Sequence, residues 1–112
     1  MPKYMLLFVG MATQPDASDA TTRDYNASWM QWIGGLAQRG VLESGAPFEP
    51  TGRRVEADSS ADLELDTVDI GGYLLVEAGD LDEAVAVAQE APHMALGGST
   101  IVRPCVDLPP PQ

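Results

Sequence analysis

The sequence predicts an α+β fold in which two helices pack on one face of an antiparallel sheet. Two short apolar runs, Tyr4 to Val9 and Tyr73 to Ala78, are typical of buried strands. Helical features follow each run: a stripe of large apolar side chains between Thr22 and Arg39, and a capped helix start at Asp80. The 112 residues can build one hydrophobic core, so we expect a single domain.

The first helix is predicted from Thr22 to Arg39, after a polar loop from Met11 to Thr22. Its large apolar residues fall on one helical stripe: Tyr25, Trp29, Trp32, Ile33 and Leu36. Gly40 supplies the left-handed stop that often ends a helix. Gly34 and Gly35 lie inside the helix, where each glycine weakens helix propensity by up to about 1 kcal/mol relative to alanine. Such a pair could instead allow close packing.

The middle of the chain is predicted to contain short strands. Val41 to Phe48 forms the second strand, and Arg53 to Ala57 forms a third after a Pro-Thr-Gly turn. Acidic and apolar residues alternate between Asp58 and Asp69, which fits either a short exposed strand or a mobile loop. Tyr73 to Ala78 is rich in strand-forming residues and is assigned to the centre of the sheet.

The second helix carries a clear start signal. Asp80 can cap the amide of Glu83, and Glu83 can reach back to the amide of Asp80, as in a capping box. Four residues are predicted to face the core: Leu81, Ala84, Val85 and Ala88. Pro92 should end the helix, and Ser99 to Val106 forms the last strand, with Pro104 indicating a sheet edge or strand end.

This order of elements predicts a ferredoxin-like arrangement for residues 1–106, followed by a Pro-rich tail at residues 107–112. The strands are apolar on both faces, although two helices can cover only one of them. A monomer would therefore leave a large apolar surface in water. We expect a two-fold homodimer that packs sheet against sheet.

Composition excludes several classes of function. The chain has 17 acidic residues against 6 basic ones, a net charge of -11, so binding to nucleic acids or to anionic membranes is not expected. The apolar start is too short to span a membrane and lacks a signal-peptide cleavage region, which favours a cytoplasmic protein. Cys105 is the only cysteine and His93 the only histidine, so we expect no disulfide, metal or cofactor. A buried, inert thiol is the default interpretation of Cys105.

Several motifs together resemble one family over nearly the whole chain before the tail. They are K-Y-M-L-L-F, W-M-Q-W, G-V-L-E-S-G-A-P-F, G-G-Y-L-L-V-E-A-G-D-L-D-E-A-V, A-P-H-M-A-L-G-G-S and V-R-P. In this order they resemble the YCII-related proteins, specifically the DGPF-domain branch. The resemblance implies a bacterial dimeric α+β barrel whose biochemical role is poorly defined. Members are often described as possible enzymes because of a polar cleft, and some accompany alternative sigma factors.

The chain departs from the family at its most characteristic positions. The segment S-A-D-L, Ser60 to Leu63, stands where the D-G-P-F motif belongs, and Thr67 stands at the lysine position. The wider family has a histidine on the first helix and an aspartate before a proline. The corresponding residues are Trp29 and Ala91, and neither can move a proton. The family's catalytic pair is therefore not carried over.

Four residues are candidates for a functional site. His93 matches a histidine of the branch and could act as a general base, or its ring could cap the backbone of the surrounding turn. Arg103 could hold an anionic ligand or pair with a surface acid. Trp29 and Tyr25 could line a ligand pocket, although a single helical stripe is more often core or dimer packing.

The leading hypothesis is a homodimer that binds a small organic molecule in a cleft, with weak or no catalysis. One alternative is a regulatory module that uses its acidic segment to meet a basic partner, linked to sigma-factor-dependent transcription. Another is an enzyme that uses His93 as its base.

Overall fold

The computed structural model describes residues 2–10, 20–49, 51–63 and 70–107. These ranges contain two α-helices, a 3₁₀ helix and six strands. Their order is β1 Lys3–Val9, α1 Ala20–Gln38, β2 Leu42–Pro47, β3 Arg53–Val55, β4 Ser60–Asp62, β5 Ile70–Glu77, α2 Leu81–Ala88, the 3₁₀ helix Pro92–Leu96 and β6 Ser99–Pro104. The strand bounds agree with the predicted ones to within a few residues. Most of the predicted loop before α1, the Thr67 position and residues 108–112 of the tail lie outside the described residues.

The main sheet has the strand order β2-β5-β1-β6, and each neighbouring pair is antiparallel. This is the ferredoxin-like arrangement predicted from the sequence, with β5 inside the sheet and β6 at an edge. The segment after the second strand forms a separate hairpin of β3 and β4. The acidic stretch therefore includes a short exposed strand, which was one of its two predicted forms.

Burial alternates along the two central strands and defines the two faces of the sheet. Tyr4, Leu6 and Phe8 of β1 are buried beneath the helices. The residues between them, such as Met5 and Leu7, are only half-buried and point to the opposite face. We call this opposite side the outer face of the sheet. One continuous core thus lies between the helices and the inner face.

Helix α1 packs as its aromatic stripe predicts. Trp29 and Leu36 are buried, and the chain leaves the helix through Gly40, whose φ is 72°. A Cβ built on Gly34 or Gly35 would meet no atom of the described residues within 4 Å. The prediction that this glycine pair allows close packing is therefore wrong, because both glycines border open space.

Helix α2 has the predicted N-cap but a different partner for its glutamate. Asp80 Oδ1 accepts from the amide of Glu83 at 2.9 Å. Glu83 Oε2 accepts from the amide of Gly79 at 2.7 Å, and not from that of Asp80 as predicted. The reciprocal bonds still satisfy two amides at the start of the helix, so the local function of a capping box is kept.

The face that α2 turns to the core was predicted only in part. Ala84, Val87 and Ala88 are buried, whereas Leu81 and Val85 are 46% and 37% exposed. The two alanines in the buried seam let the helix approach the sheet closely. The predicted core face was right for Ala84 and Ala88 and wrong for Leu81 and Val85.

A polar contact joins α1 to the turn after α2. Trp32 Nε1 donates to Glu90 Oε1 at 3.0 Å, and Arg39 Nη1 lies 3.4 Å from the same oxygen. The contact is exposed, so its ionic part contributes little to stability.

Cys105 is exposed, which contradicts its interpretation as a buried thiol, because it follows the last residue of the edge strand β6 and lies outside the core. In the described ranges, neither helix has both the length and the apolar composition needed to cross a lipid bilayer.

Candidate functional site

A cavity of about 310 Å³ lies between α1 and the β2-β5 side of the sheet. Four residues of α1 line it: Asn26, Trp29, Met30 and Ile33. They stand at positions i, i+3, i+4 and i+7 and therefore share one side of the helix. Trp29 is buried and Ile33 half-buried, while Asn26 and Met30 are exposed and stand at the rim.

The sheet forms the floor of the cavity. Phe8 of β1, Leu42 of β2 and Leu74 of β5 contribute apolar side chains. Gly45 and Gly72 lie among them and contribute only backbone. Because these two positions have no side chain, the space between helix and sheet stays open here.

Crowding between the strands explains why glycine occupies both positions. A Cβ on Gly45 would collide with Leu74 Cδ2 and would lie 2.7 Å from the carbonyl oxygen of Tyr73. A Cβ on Gly72 would lie 3.0 Å from the carbonyl oxygen of Ala46. The pairing of β2 with β5 is also irregular next to this floor, between Leu42 and Ser44. The cavity is thus built where two strands approach too closely for side chains.

Trp29 forms the inner wall of the cavity and belongs to an aromatic cluster. Its ring lies edge-on to Phe8 at 5.0 Å, to Trp32 at 5.6 Å and to Tyr25 at 6.2 Å, measured between ring centroids. The indole N–H of Trp29 is buried and has no acceptor among the described residues. Such an unsatisfied donor is uncommon for a side chain that only packs.

His93 lies behind this wall. Its ring stacks on Trp29 at a centroid distance of 5.4 Å and an angle of 28°, and the residue is 2% exposed. Nε2 is 2.8 Å from the carbonyl oxygen of Ser99, which assigns the proton to Nε2 as the donor of this bond. Nδ1 is buried without a partner among the described residues. The ring ties the 3₁₀ helix to the start of β6 and does not line the cavity.

The local backbone places His93 there. Pro92 begins the 3₁₀ helix, and Gly97 ends it with a φ of 86°. Gly98 then passes so close to the ring that a Cβ there would collide with His93 Cδ2. The sequence around this histidine therefore serves to seat its ring.

Arg103 lies on the other side of the sheet. It pairs with Met5 across β1 and β6, and paired residues share a face, so its exposed side chain belongs to the outer face. Tyr25 is half-buried beside Trp29 but does not line the cavity. Of the four candidate residues, the structure brings only Trp29 to the cavity, and Arg103 and His93 lie on opposite sides of the sheet.

The sequence interpretation missed the residues that complete the site. Ile33 was recognised only as part of the helical stripe, and Gly72 stands just before the strand predicted from Tyr73 to Ala78. A glycine inside a strand can signal close approach of another backbone, and this signal was available at Gly45 and Gly72. Across the described residues, no three His, Cys, Asp or Glu side chains gather to hold a metal ion.

Comparison with known proteins supports the fold. No family model and no curated protein matches the chain. Among solved structures, it is similar to 5-chloro-2-hydroxyhydroquinone dehydrochlorinase (TftG) from Burkholderia phenoliruptrix AC1100, in complex with 2,5-dihydroxybenzoquinone. The two chains share 20% sequence identity with a TM-score of 0.51, over 92% of this chain and 91% of that chain. At this identity the likeness shows a common fold.

Proposed function

We propose that this protein binds a small organic molecule in the cavity between α1 and the sheet. The observation that carries the proposal is the cavity itself: about 310 Å³, enclosed mainly by apolar and aromatic side chains. Ligand pockets in proteins typically measure about 300–1,000 Å³ and have this kind of lining. The unsatisfied indole N–H of Trp29 gives further support.

The structural neighbour supports the size of the ligand. TftG holds 2,5-dihydroxybenzoquinone, a molecule with a single six-membered ring. A protein of this fold can therefore accommodate a ring-sized organic compound. The proposal for this chain adopts only the size of that ligand and does not include the reaction of TftG.

Binding is preferred over catalysis because of the residues at the site. The cavity-lining residues in the described part of the chain include no His, Asp, Glu, Lys, Arg or Cys. Trp29 also occupies the position that the resemblance gives to a catalytic histidine. An enzyme using His93 as its base would require the substrate to reach a ring that Trp29 and Phe8 cover.

We further propose that the chain belongs to the DGPF branch and that it forms a homodimer. The fold agrees with the α+β barrel that the resemblance implies, and the outer face of the sheet carries Met5, Leu7, Leu75 and Ile101. A second copy packed on this face would remove these side chains from water.

The proposed site can be tested by filling the cavity. A uniformly ¹⁵N-labelled protein is titrated with a metabolite extract, and amide shifts are followed by NMR. We expect shifts at cavity residues such as Ile33, Gly45 and Gly72. Ile33→Phe should abolish them by occupying the space, whereas Val85→Phe on α2 adds the same ring outside the cavity and should leave them unchanged. Shifts that survive Ile33→Phe, or that cluster elsewhere, would contradict the proposed site.

A further inference from the structure

We infer that the cavity selects an uncharged molecule of one or two fused flat rings with a single hydrogen-bonding group. This inference rests on the proposed function and adds the chemical class of the ligand. Three properties of the cavity lead to it: the charge of its lining, its volume and the aromatic rings in its lining.

The first property is the absence of charge on the described lining residues. Side chains such as Phe8, Trp29, Ile33 and Leu74 offer no counter-ion to a bound ion. Moving an unpaired ion out of water into an apolar site is strongly unfavourable. The overall charge of -11 further opposes the approach of anions. A neutral ligand avoids both penalties.

The second property is volume. An apolar cavity of about 150 Å³ binds benzene, which is a single six-membered ring. The cavity here measures about 310 Å³, roughly twice that size. Two fused rings, or one ring with a short substituent, therefore match the space.

The third property is the aromatic part of the lining. Gly45 and Gly72 add only backbone to a floor that Phe8, Leu42 and Leu74 cover with side chains. The rings of Phe8 and Trp29 favour flat aromatic ligands through edge and stacking contacts. Asn26 is the polar side chain that α1 places at the rim, where its amide can donate one hydrogen bond and accept another. One hydroxyl or carbonyl on the ligand would suffice.

The test compares three ligands that share the indole ring and a short side chain. Tryptophol is uncharged at neutral pH, indoleacetate is an anion and tryptamine is a cation. Calorimetric titration should show that tryptophol binds at least about ten-fold more tightly than either charged compound, because only it escapes desolvation of an ion. Asn26→Leu should weaken tryptophol binding several-fold.

A charge introduced at the rim provides the converse test. Met30 is 72% exposed, so Met30→Lys should fold normally and should raise the affinity for indoleacetate relative to tryptophol. Leu81→Lys, on α2 outside the cavity, is the matched control and should leave the ratio unchanged.

The outcomes separate this inference from the proposed function. Equal or tighter binding of indoleacetate or tryptamine to the wild-type protein overturns the inference and leaves the site in place. The inference is also overturned if none of the three binds while the extract shifts cavity amides. If neither the indoles nor the extract affects the cavity, both proposals fail.

Discussion

His93 shows how a single polar residue can hold two elements together. Its Nε2 proton is donated to the Ser99 carbonyl, and its ring packs against both Trp29 and Phe8. The hydrogen bond fixes the start of the edge strand β6, and the ring supports the back of the cavity wall. Both contributions belong to stability, and the site depends on them indirectly.

Replacing His93 should therefore destabilise the fold. We expect His93→Ala to lower the free energy of unfolding by about 2–4 kcal/mol, since it leaves a cavity and an unpaired carbonyl. His93→Gln keeps a donor and part of the volume and should have a smaller effect. Urea denaturation followed by far-ultraviolet circular dichroism measures both. A change below about 0.5 kcal/mol for His93→Ala, the range of ordinary surface substitutions, would show that the ring is dispensable.

The sequence could predict which residue types surround His93 but not their arrangement. A turn between Pro92 and Gly98 can be inferred from local chemistry, and so can a polar contact within it. The stack on Trp29 joins residues that are far apart in sequence, so it follows only from the packing of α1 on the sheet. The same applies to Arg103, whose face depends on its register with Met5.

Helix α1 has room for a side chain at one of its glycines. Gly34 borders open space inside a helix, so Gly34→Ala should stabilise the protein by up to about 1 kcal/mol through helix propensity alone. Thermal or urea unfolding would detect the gain. A loss of stability would mean that another surface, such as a second subunit, approaches this side of α1.

In β5, replacing a glycine by alanine should lower the stability of the protein. Gly72→Ala brings a Cβ within 3.0 Å of the Ala46 carbonyl oxygen, and backbone atoms of a paired strand cannot move aside easily. We expect a loss of about 1–3 kcal/mol, as for other overpacked sites. The same unfolding measurement applies, with Gly34→Ala as the matched control. A neutral effect would indicate that β2 can shift away from β5.

Local signals predicted the elements better than their orientation. The Asp80 cap and the Gly40 stop act within a few residues of chain, and both are found as predicted. The core face of α2 depends on how closely the helix can approach the sheet. Alanine side chains let α2 approach the sheet more closely than Leu81 would. A scale of side-chain hydrophobicity does not show this advantage of alanine.

For the whole molecule, the strand order follows from the element order, but the cavity does not. Short connections and the antiparallel sheet restrict the chain to few topologies, and the ferredoxin-like one was predicted. The cavity arises from two glycines and an irregular register between β2 and β5. Both are details of strand pairing that a pattern of apolar residues does not encode.

We predict that the whole molecule is a homodimer. Light scattering should give twice the chain mass of 11.9 kDa at micromolar concentration. Leu75→Glu, at the centre of the outer face, should produce a monomer because a buried carboxylate would oppose association. Leu81→Glu on the exposed side of α2 serves as the control and should remain a dimer. A wild-type protein with the mass of one chain would refute the sheet-to-sheet interface.

The position of the two tryptophans has a spectroscopic consequence. Trp29 and Trp32 are the only tryptophans of the chain, both belong to α1, and their rings lie 5.6 Å apart against Phe8. Tryptophan fluorescence and the near-ultraviolet dichroism of indole must therefore originate from one place, where α1 rests on the sheet. These indole signals will report undocking of this helix and occupation of the space beside it, while fraying of the β3-β4 hairpin will leave them unchanged.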